Sequence, residues 1–339
     1  MRGVTPPPVE AGDEVAVVAP SSQIAESIVE RGVERLETSF DVSPAVYPSV
    51  VADGQLPPDE RAAEIHEAFE SEATAVFAVT GGEDQLRLLR HLDLERLQSH
   101  PTRFFGISDN TNLHLALSAA GIVSYYGCQF VPGIALDPTL PEYTERYLRR
   151  ALFEPSLGEV ESATEWTDDY YDFSSDSPRD WEPNPGWTWE FPTSEPATGP
   201  VWGGCVVVLE HFLAVNRFVP EPEREFVLAL ETSELLPDPY TVKSVLRCLG
   251  ERNLLEKTAA VVVGRPKTRH NESRSEQERR QYRERQRNAI RQVCRTYCPN
   301  VPIVFDLDFG HTDPQLPIPV GGQVTLHPSS ESIVFEANP

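Results

Sequence analysis

Lysine is nearly absent from this chain of 339 residues: only Lys243, Lys257 and Lys267 occur, and every other cationic side chain is arginine. Cysteine is scarce too. The five thiols (Cys128, Cys205, Cys248, Cys294, Cys298) form no even framework, which argues against structural disulfides. Cys294 and Cys298 stand about one helical turn apart, but no second Cys or His pair accompanies them, so no metal site and no cofactor is expected. No stretch approaches the roughly 18 apolar residues of a membrane-spanning helix, so no membrane partner is expected either. The opening MRGVTPPPVEAGDEVAVV lacks the charged-then-apolar order of a secretory signal, and the expected location is the cytoplasm.

What is abundant is acid. Fifty-three Asp and Glu against 29 Lys and Arg give a net charge of −24. Such a surface repels nucleic acid over most of its area. Many carboxylates with little lysine suggest a salt-rich, halophilic cytosol in which screening removes the self-repulsion. Against that background residues 265–295 stand out, with eleven Lys/Arg and four Glu. They read as a solvated helix with i,i+4 pairs, with a dimer contact or an anion-binding patch as the sharper alternatives.

Hydrophobic residues at 40% and the length fit a globular chain of two domains. Residues 14–19, 75–80 and 103–107 read as short buried strands, alternating with helical spacing at 24–38, 58–70, 83–98 and 110–120. That alternation predicts an α/β domain with a parallel, doubly wound sheet over 1–150. Residues 151–199 change texture: they lose periodicity and become dense in Pro, Ser, Asp and aromatics, including Trp166, Trp181, Trp187 and Trp189. They read as a long acidic loop or linker. Beyond it, 200–339 carries strand-like runs at 201–209, 226–231, 259–264, 301–306 and 332–336, and helices at 240–254 and 274–297, which predicts a second α/β domain.

Four segments carry residues suited to chemistry. In FFGISDNTNLHLAL a strand runs through Gly106 into Ser108, and a helix follows at once. A serine at such a turn exposes its hydroxyl, and the helix N-terminus behind it favours developing negative charge; the plainer reading makes Ser108 or Asp109 the N-cap of that helix. In VTGGEDQLRLL, Gly81 and Gly82 follow a strand and let backbone amides approach a ligand. In FDLDFGHTDPQLPIPVGG, His311 sits in a turn stiffened by Pro314, Pro317 and Pro319, which suits a general base. His66, His91 and His100 fall on or beside expected surface helices, and His114 packs behind Ser108. Glu231 ends the apolar run FVLALE, where an ionised carboxylate is costly unless paired; orienting a histidine would pair it. Asp306 and Asp308 are rivals for that role.

The set GDEVAVVAPSS, TGGEDQLRLL, FFGISDNTNLHLAL, YYGCQF, WGGC, LALETSE and GHTDPQLPIPVGG resembles, in the same order, the LD-carboxypeptidases of peptidase family S66. The tryptophan-bearing insert makes the chain more similar to the branch containing the microcin C self-immunity carboxypeptidase. The resemblance spans about residues 11–328. It implies a flavodoxin-like N-terminal domain, a C-terminal swivelling domain, a site between the two, and a homodimer. It carries the nucleophile onto Ser108, the acid onto Glu231, the base onto His311, and the oxyanion-hole amides onto Gly82 and Asp109. Gly81, Cys205, Trp187 and Arg217 are candidate substrate contacts, with Arg87 a further candidate for a terminal carboxylate. The chain departs from the family in carrying Cys205 after Gly203 and Gly204 in place of Asn, Cys128 in place of Pro, and Thr-Ser-Glu after Glu231. The implied reaction is metal-free acyl transfer on an amide: an aminoacyl- or peptidyl-nucleotide of the microcin C kind, or alternatively a murein tetrapeptide. The non-enzymatic alternative is a binding protein on the same scaffold.

The salt-rich reading predicts that thermal unfolding, followed by circular dichroism, has a higher midpoint in molar salt than in dilute buffer. Equal midpoints overturn it.

Overall fold

The computed structural model describes residues 3–136, 139–169, 178–190, 192–221, 225–269 and 274–337. The chain divides into two compact units, one of residues 1–157, 315–322 and 337–339, the other of 158–314 and 323–336. Among the described residues no helix is long and apolar enough to cross a membrane.

The first unit runs β1 (Glu14–Val18), α1 (Glu26–Phe40), β2 (Ser43–Val46), α2 (Pro48–Val51), α3 (Pro58–Glu70), β3 (Ala75–Ala78), α4 (Leu94–Ser99), β4 (Arg103–Gly106), α5 (Thr111–Ala119), β5 (Ser124–Tyr126) and α6 (Glu142–Phe153). Its strands pair in parallel in the order β2-β1-β3-β4-β5, a doubly wound arrangement. The runs VAVV and AVFA are buried along their whole length, as strands covered on both faces must be. Helix α1 stops at Asp41, whose left-handed φ of 54° turns its N–H back to the Leu36 carbonyl. The expected helix over 83–98 is broken: a 3₁₀ turn covers Gln85–Arg90, and α4 starts afresh where the Asp93 carboxylate accepts from the amides of Glu95 (3.1 Å) and Arg96 (3.2 Å).

The second unit runs β6 (Gly158–Val160), β7 (Glu165–Trp166), β8 (Glu182–Pro183), β9 (Thr188–Glu190), β10 (Ala197–Cys205), α7 (Val206–Val215), β11 (Phe226–Glu231), α8 (Pro239–Glu251), β12 (Thr258–Gly264), α9 (Glu276–Tyr297) and β13 (Ile303–Leu307). The chain then contributes β14 (Ile318–Val320), antiparallel to β5, to the first unit, and ends with β15 (Gln323–His327) and β16 (Ser332–Phe335) in the second. Strands β10 to β13 are parallel neighbours, and β9 closes the β13 edge antiparallel. The segment read as linker thus supplies four short strands. The run read as a strand over 201–209 becomes helical from Val206. A continuous apolar stretch fits either state, and here burial of one helix face overrides the β-branched valines.

Arg103 shows how the first unit is tied. Its guanidinium is fully buried and donates to backbone carbonyls alone: Pro7 (2.8 Å), Pro6 (3.2 Å), Glu154 (3.0 Å) and Ala151. Replacing it, as in Arg103→Met, strands those acceptors in the interior. The expected loss is about 3 kcal/mol or more in denaturant unfolding.

Candidate active site

In the first unit, β4 ends at Gly106 and the chain turns at Ser108, whose φ of 62° lies in the left-handed region that non-glycine residues avoid. Such strain, roughly 1–3 kcal/mol, persists only where neighbours over-determine it. They do so here. The Ser108 N–H donates to the Tyr126 phenol (2.9 Å), and its carbonyl accepts from the Thr111 hydroxyl (2.6 Å). The Asn110 amide donates to Thr80 O (3.1 Å), Ile107 O (3.1 Å) and Gln129 Oε1 (3.0 Å). The buried Asp109 carboxylate accepts from the Gln85 amide (2.8 Å), Asn112 Nδ2 (3.0 Å) and the Ser21 hydroxyl. Burial still raises its pKa above the ordinary carboxylate value, against those hydrogen bonds. Neither Ser108 nor Asp109 caps α5: that position is taken by Asn110, which makes no side-chain cap. Gly81 lies directly against the serine, where a Cβ would stand 2.8 Å from Ser108 Cβ and 3.4 Å from the Asp109 amide.

His114 is excluded from proton transfer by its own partners. Its ring nitrogens face Gly106 O (2.9 Å) and Ser124 Oγ (2.7 Å), and burial pushes its pKa down to about 4. His66 is buried rather than on the surface, and its Nε2 accepts from the Asp93 amide (2.9 Å).

In the second unit, Glu231 closes β11 and His311 follows β13. His311 Nδ1 lies 2.8 Å from Glu231 Oε2, which also accepts from the Ser233 amide (2.8 Å). With Nδ1 carrying the proton toward Glu231, Nε2 is left as the acceptor. Both side chains are buried. Burial opposes charge on each, yet each lowers the other's cost. The carboxylate raises the His311 pKa above the ordinary imidazole value, and the imidazole holds the Glu231 pKa below its ordinary one. Cys205 is the register partner of Glu231 across β10 and β11, and its buried thiol hydrogen-bonds the carboxylate. Burial, then Glu231, push that thiol's pKa up, so it stays protonated. Gly310, with φ of 95°, makes room: a Cβ there would stand 2.8 Å from Glu231 Cβ. The two rival carboxylates are engaged elsewhere: Asp306 with Arg287, Asp308 with Ala163, Asn184 and Trp187.

Gly81, Gly82, Ser108 and Asp109 therefore belong to the first unit, and Cys205, Glu231 and His311 cluster in the second. Trp187 also lies in the second, its indole N–H donated to Asp308 (2.9 Å). Arg217 is exposed just beyond α7, and Arg87 is exposed and paired with Asp84 (3.0 Å). Among the described residues no group of three or more His, Cys, Asp or Glu side chains could hold a metal ion. The contact of Cys205 with Glu231 carries no local sequence signal, because the apolar run 201–209 does not mark that β10 ends at Cys205 and the pairing is set by strand register.

Residues 15–127 match the LD-carboxypeptidase N-terminal domain and residues 198–326 the LD-carboxypeptidase C-terminal domain. The chain is 25% identical to the carboxypeptidase-named protein YocD of Bacillus subtilis, over 92% of each sequence. It is 22% identical to the microcin C7 self-immunity protein MccF of Escherichia coli, over 81% of this chain and 77% of MccF. Among solved structures it superposes on an MccF-like protein of Bacillus anthracis with a TM-score of 0.85 at 24% identity, covering 99% of this chain and 100% of the other. An MccF-like protein of Streptococcus pneumoniae, solved in complex with AMP, gives a TM-score of 0.83 at 24% identity, covering 97% of this chain and 100% of that one. With both domain descriptions matched in order along one chain, the protein belongs to the LD-carboxypeptidase family, peptidase family S66.

Proposed function

We propose that the protein is a serine-type carboxypeptidase in which Ser108 is the nucleophile, His311 the general base and Glu231 the group that orients and charges the imidazole. The observation that carries this reading is the buried His311–Glu231 hydrogen bond of 2.8 Å, an arrangement that presents Nε2 as a base of raised pKa. The strained, over-determined backbone at Ser108 supports it from the other unit. The reading requires Ser108 Oγ to come within hydrogen-bonding reach of His311 Nε2.

The chemistry follows in order. Nε2 takes the hydroxyl proton as Oγ attacks the amide carbonyl, and the amides of Gly82 and Asp109 receive the oxyanion, each donor being worth about 3 kcal/mol. The imidazolium then gives its proton to the leaving amine. Water, activated by the same nitrogen, releases the acid and restores Ser108.

The substrate class we favour is an aminoacyl- or peptidyl-nucleotide amide. The AMP complex of the pneumococcal MccF-like protein supports a nucleotide, and Trp187 beside the His311 segment offers an aromatic face. A murein tetrapeptide is the second reading, supported by a Bacillus subtilis relative named for murein peptide carboxypeptidase activity.

Mass spectrometry of an aminoacyl-sulfamoyl adenosine and a murein tetrapeptide, each incubated with the protein, decides between them. Wild type is expected to cleave at least one, and Ser108→Ala to lose roughly a thousandfold or more in rate. No cleavage of either by wild type ends the reading.

The base must be neutral to accept a proton. Because Glu231 raises the His311 pKa, kcat/KM should fall as pH drops through a value above the ordinary 6.5. In Glu231→Gln the negative charge is gone and burial remains, so the acidic limb should move to lower pH while the plateau rate falls. A limb that stays in place separates His311 from Glu231.

A further inference from the structure

Two compositional anomalies, the acidic tryptophan-bearing insert and the arginine-rich stretch after β12, supply none of the groups that move protons in that chemistry. Within the second unit they meet. The buried Asp168 carboxylate accepts from the Thr268 amide (2.7 Å), Arg269 Nε (2.8 Å) and Arg279 Nη2 (3.1 Å). The Trp166 ring receives two guanidinium groups, Arg265 at 4.6 Å and Arg283 at 5.2 Å from its centroid. The insert is thereby anchored to the scaffold at Trp166 and Asp168.

From this anchor the insert grips the His311 segment on both sides. Three residues before the histidine, Asp308 is buried and accepts from Ala163 N (3.0 Å), Asn184 Nδ2 (3.0 Å) and Trp187 Nε1 (2.9 Å), all from the insert. Two residues after it, Asp313 exchanges backbone hydrogen bonds with Thr167 (2.7 and 2.9 Å), and its carboxylate pairs with Arg179 (2.6 Å). A catalytic imidazole needs its plane fixed, and misplacement by about 1 Å can cost roughly a hundredfold in rate. Gly310, which makes room for Glu231, adds little stiffness on the N-terminal side of His311, since the prolines that stiffen the turn all lie beyond it.

We propose that the insert is a clamp for the His311 segment and that Asp308 is a positioning residue, acting through the backbone that carries the imidazole. The inference rests on the reading of His311 as the base. It gives Trp187 a task that its ring face does not perform, since the indole N–H is what Asp308 uses.

Trp187→Phe keeps an aromatic ring and deletes the N–H; Asp308→Asn keeps the shape and replaces one acceptor by a donor. For both, kcat should fall at least roughly tenfold with KM and the dissociation constant for AMP within about twofold of wild type. Independently of turnover, the downfield proton resonance of His311 Nδ1–H, identified by its loss in His311→Ala, should broaden or vanish in both variants while circular dichroism stays native. A raised KM alone in Trp187→Phe makes the tryptophan a ligand contact and overturns the clamp. So does a resonance and kcat equal to wild type. Should Asp308→Asn fail to fold, Trp187→Phe decides alone. Should wild type hydrolyse neither substrate, the proposed reaction fails, and the resonance still tests the clamp.

Discussion

Glu231 is an ionised carboxylate at the end of a strand buried along its whole length, and that is the constraint around which the second unit is arranged. Removing such a group from water costs several kcal/mol unless hydrogen bonds and an opposite charge replace the lost hydration. Three donors do so: His311, the Ser233 amide and the Cys205 thiol. Each is delivered by a different device. Strand register puts Cys205 opposite, the turn after β11 brings back its own amide, and Gly310 lets the chain beyond β13 approach closely enough for the imidazole. The thiol is well matched to a dry position, since its raised pKa keeps the donor proton in place.

The first unit solves the complementary problem. There the difficulty is not charge but backbone geometry, because Ser108 occupies a φ that only surrounding structure can enforce. The enforcement is polar: Tyr126, Asn110, Gln129 and Asp109 bind the turn from several directions, and all four are buried. A polar network of this density is stable only when its members are satisfied together, so single deletions within it should reach the serine.

Much of this architecture is legible from residue order. Buried parallel strands announce themselves as short apolar runs, and β1, β3, β4 and β11 fall where those runs are. Gly106-to-Ser108 and Glu231 stand at strand ends, which is where a doubly wound sheet exposes chemistry. Other features depend on partners distant in sequence. Whether Glu231, Asp306 or Asp308 faces His311 is decided by register and by Arg287, Asn184 and Trp187, none of which is near in the chain. Val206–Val208 favour a strand locally and become helical because of what covers them. His66 lies in a helix that looks amphipathic, yet it is buried where α4, more than twenty residues further along the chain, packs against α3 and the Asp93 amide donates to its Nε2.

The shortage of lysine acquires a structural meaning alongside its meaning for solvent. The acidic insert is held by forks: Arg291 meets Glu190 through Nε (2.9 Å) and Nη2, and Arg269 and Arg279 converge on one carboxylate. Arg265 and Arg283 add stacking on Trp166. A lysine ammonium is a point charge that offers neither the planar pair of donors nor the flat face, and its burial costs more. A chain that spends acidic residues on an internal strap must therefore answer with arginine, and the basic helix α9 is that answer. Through Arg279, Arg287 and Arg291 its charge is directed inward at Asp168, Glu182, Glu190 and Asp306, while Arg280, Arg285 and Arg295 face outward.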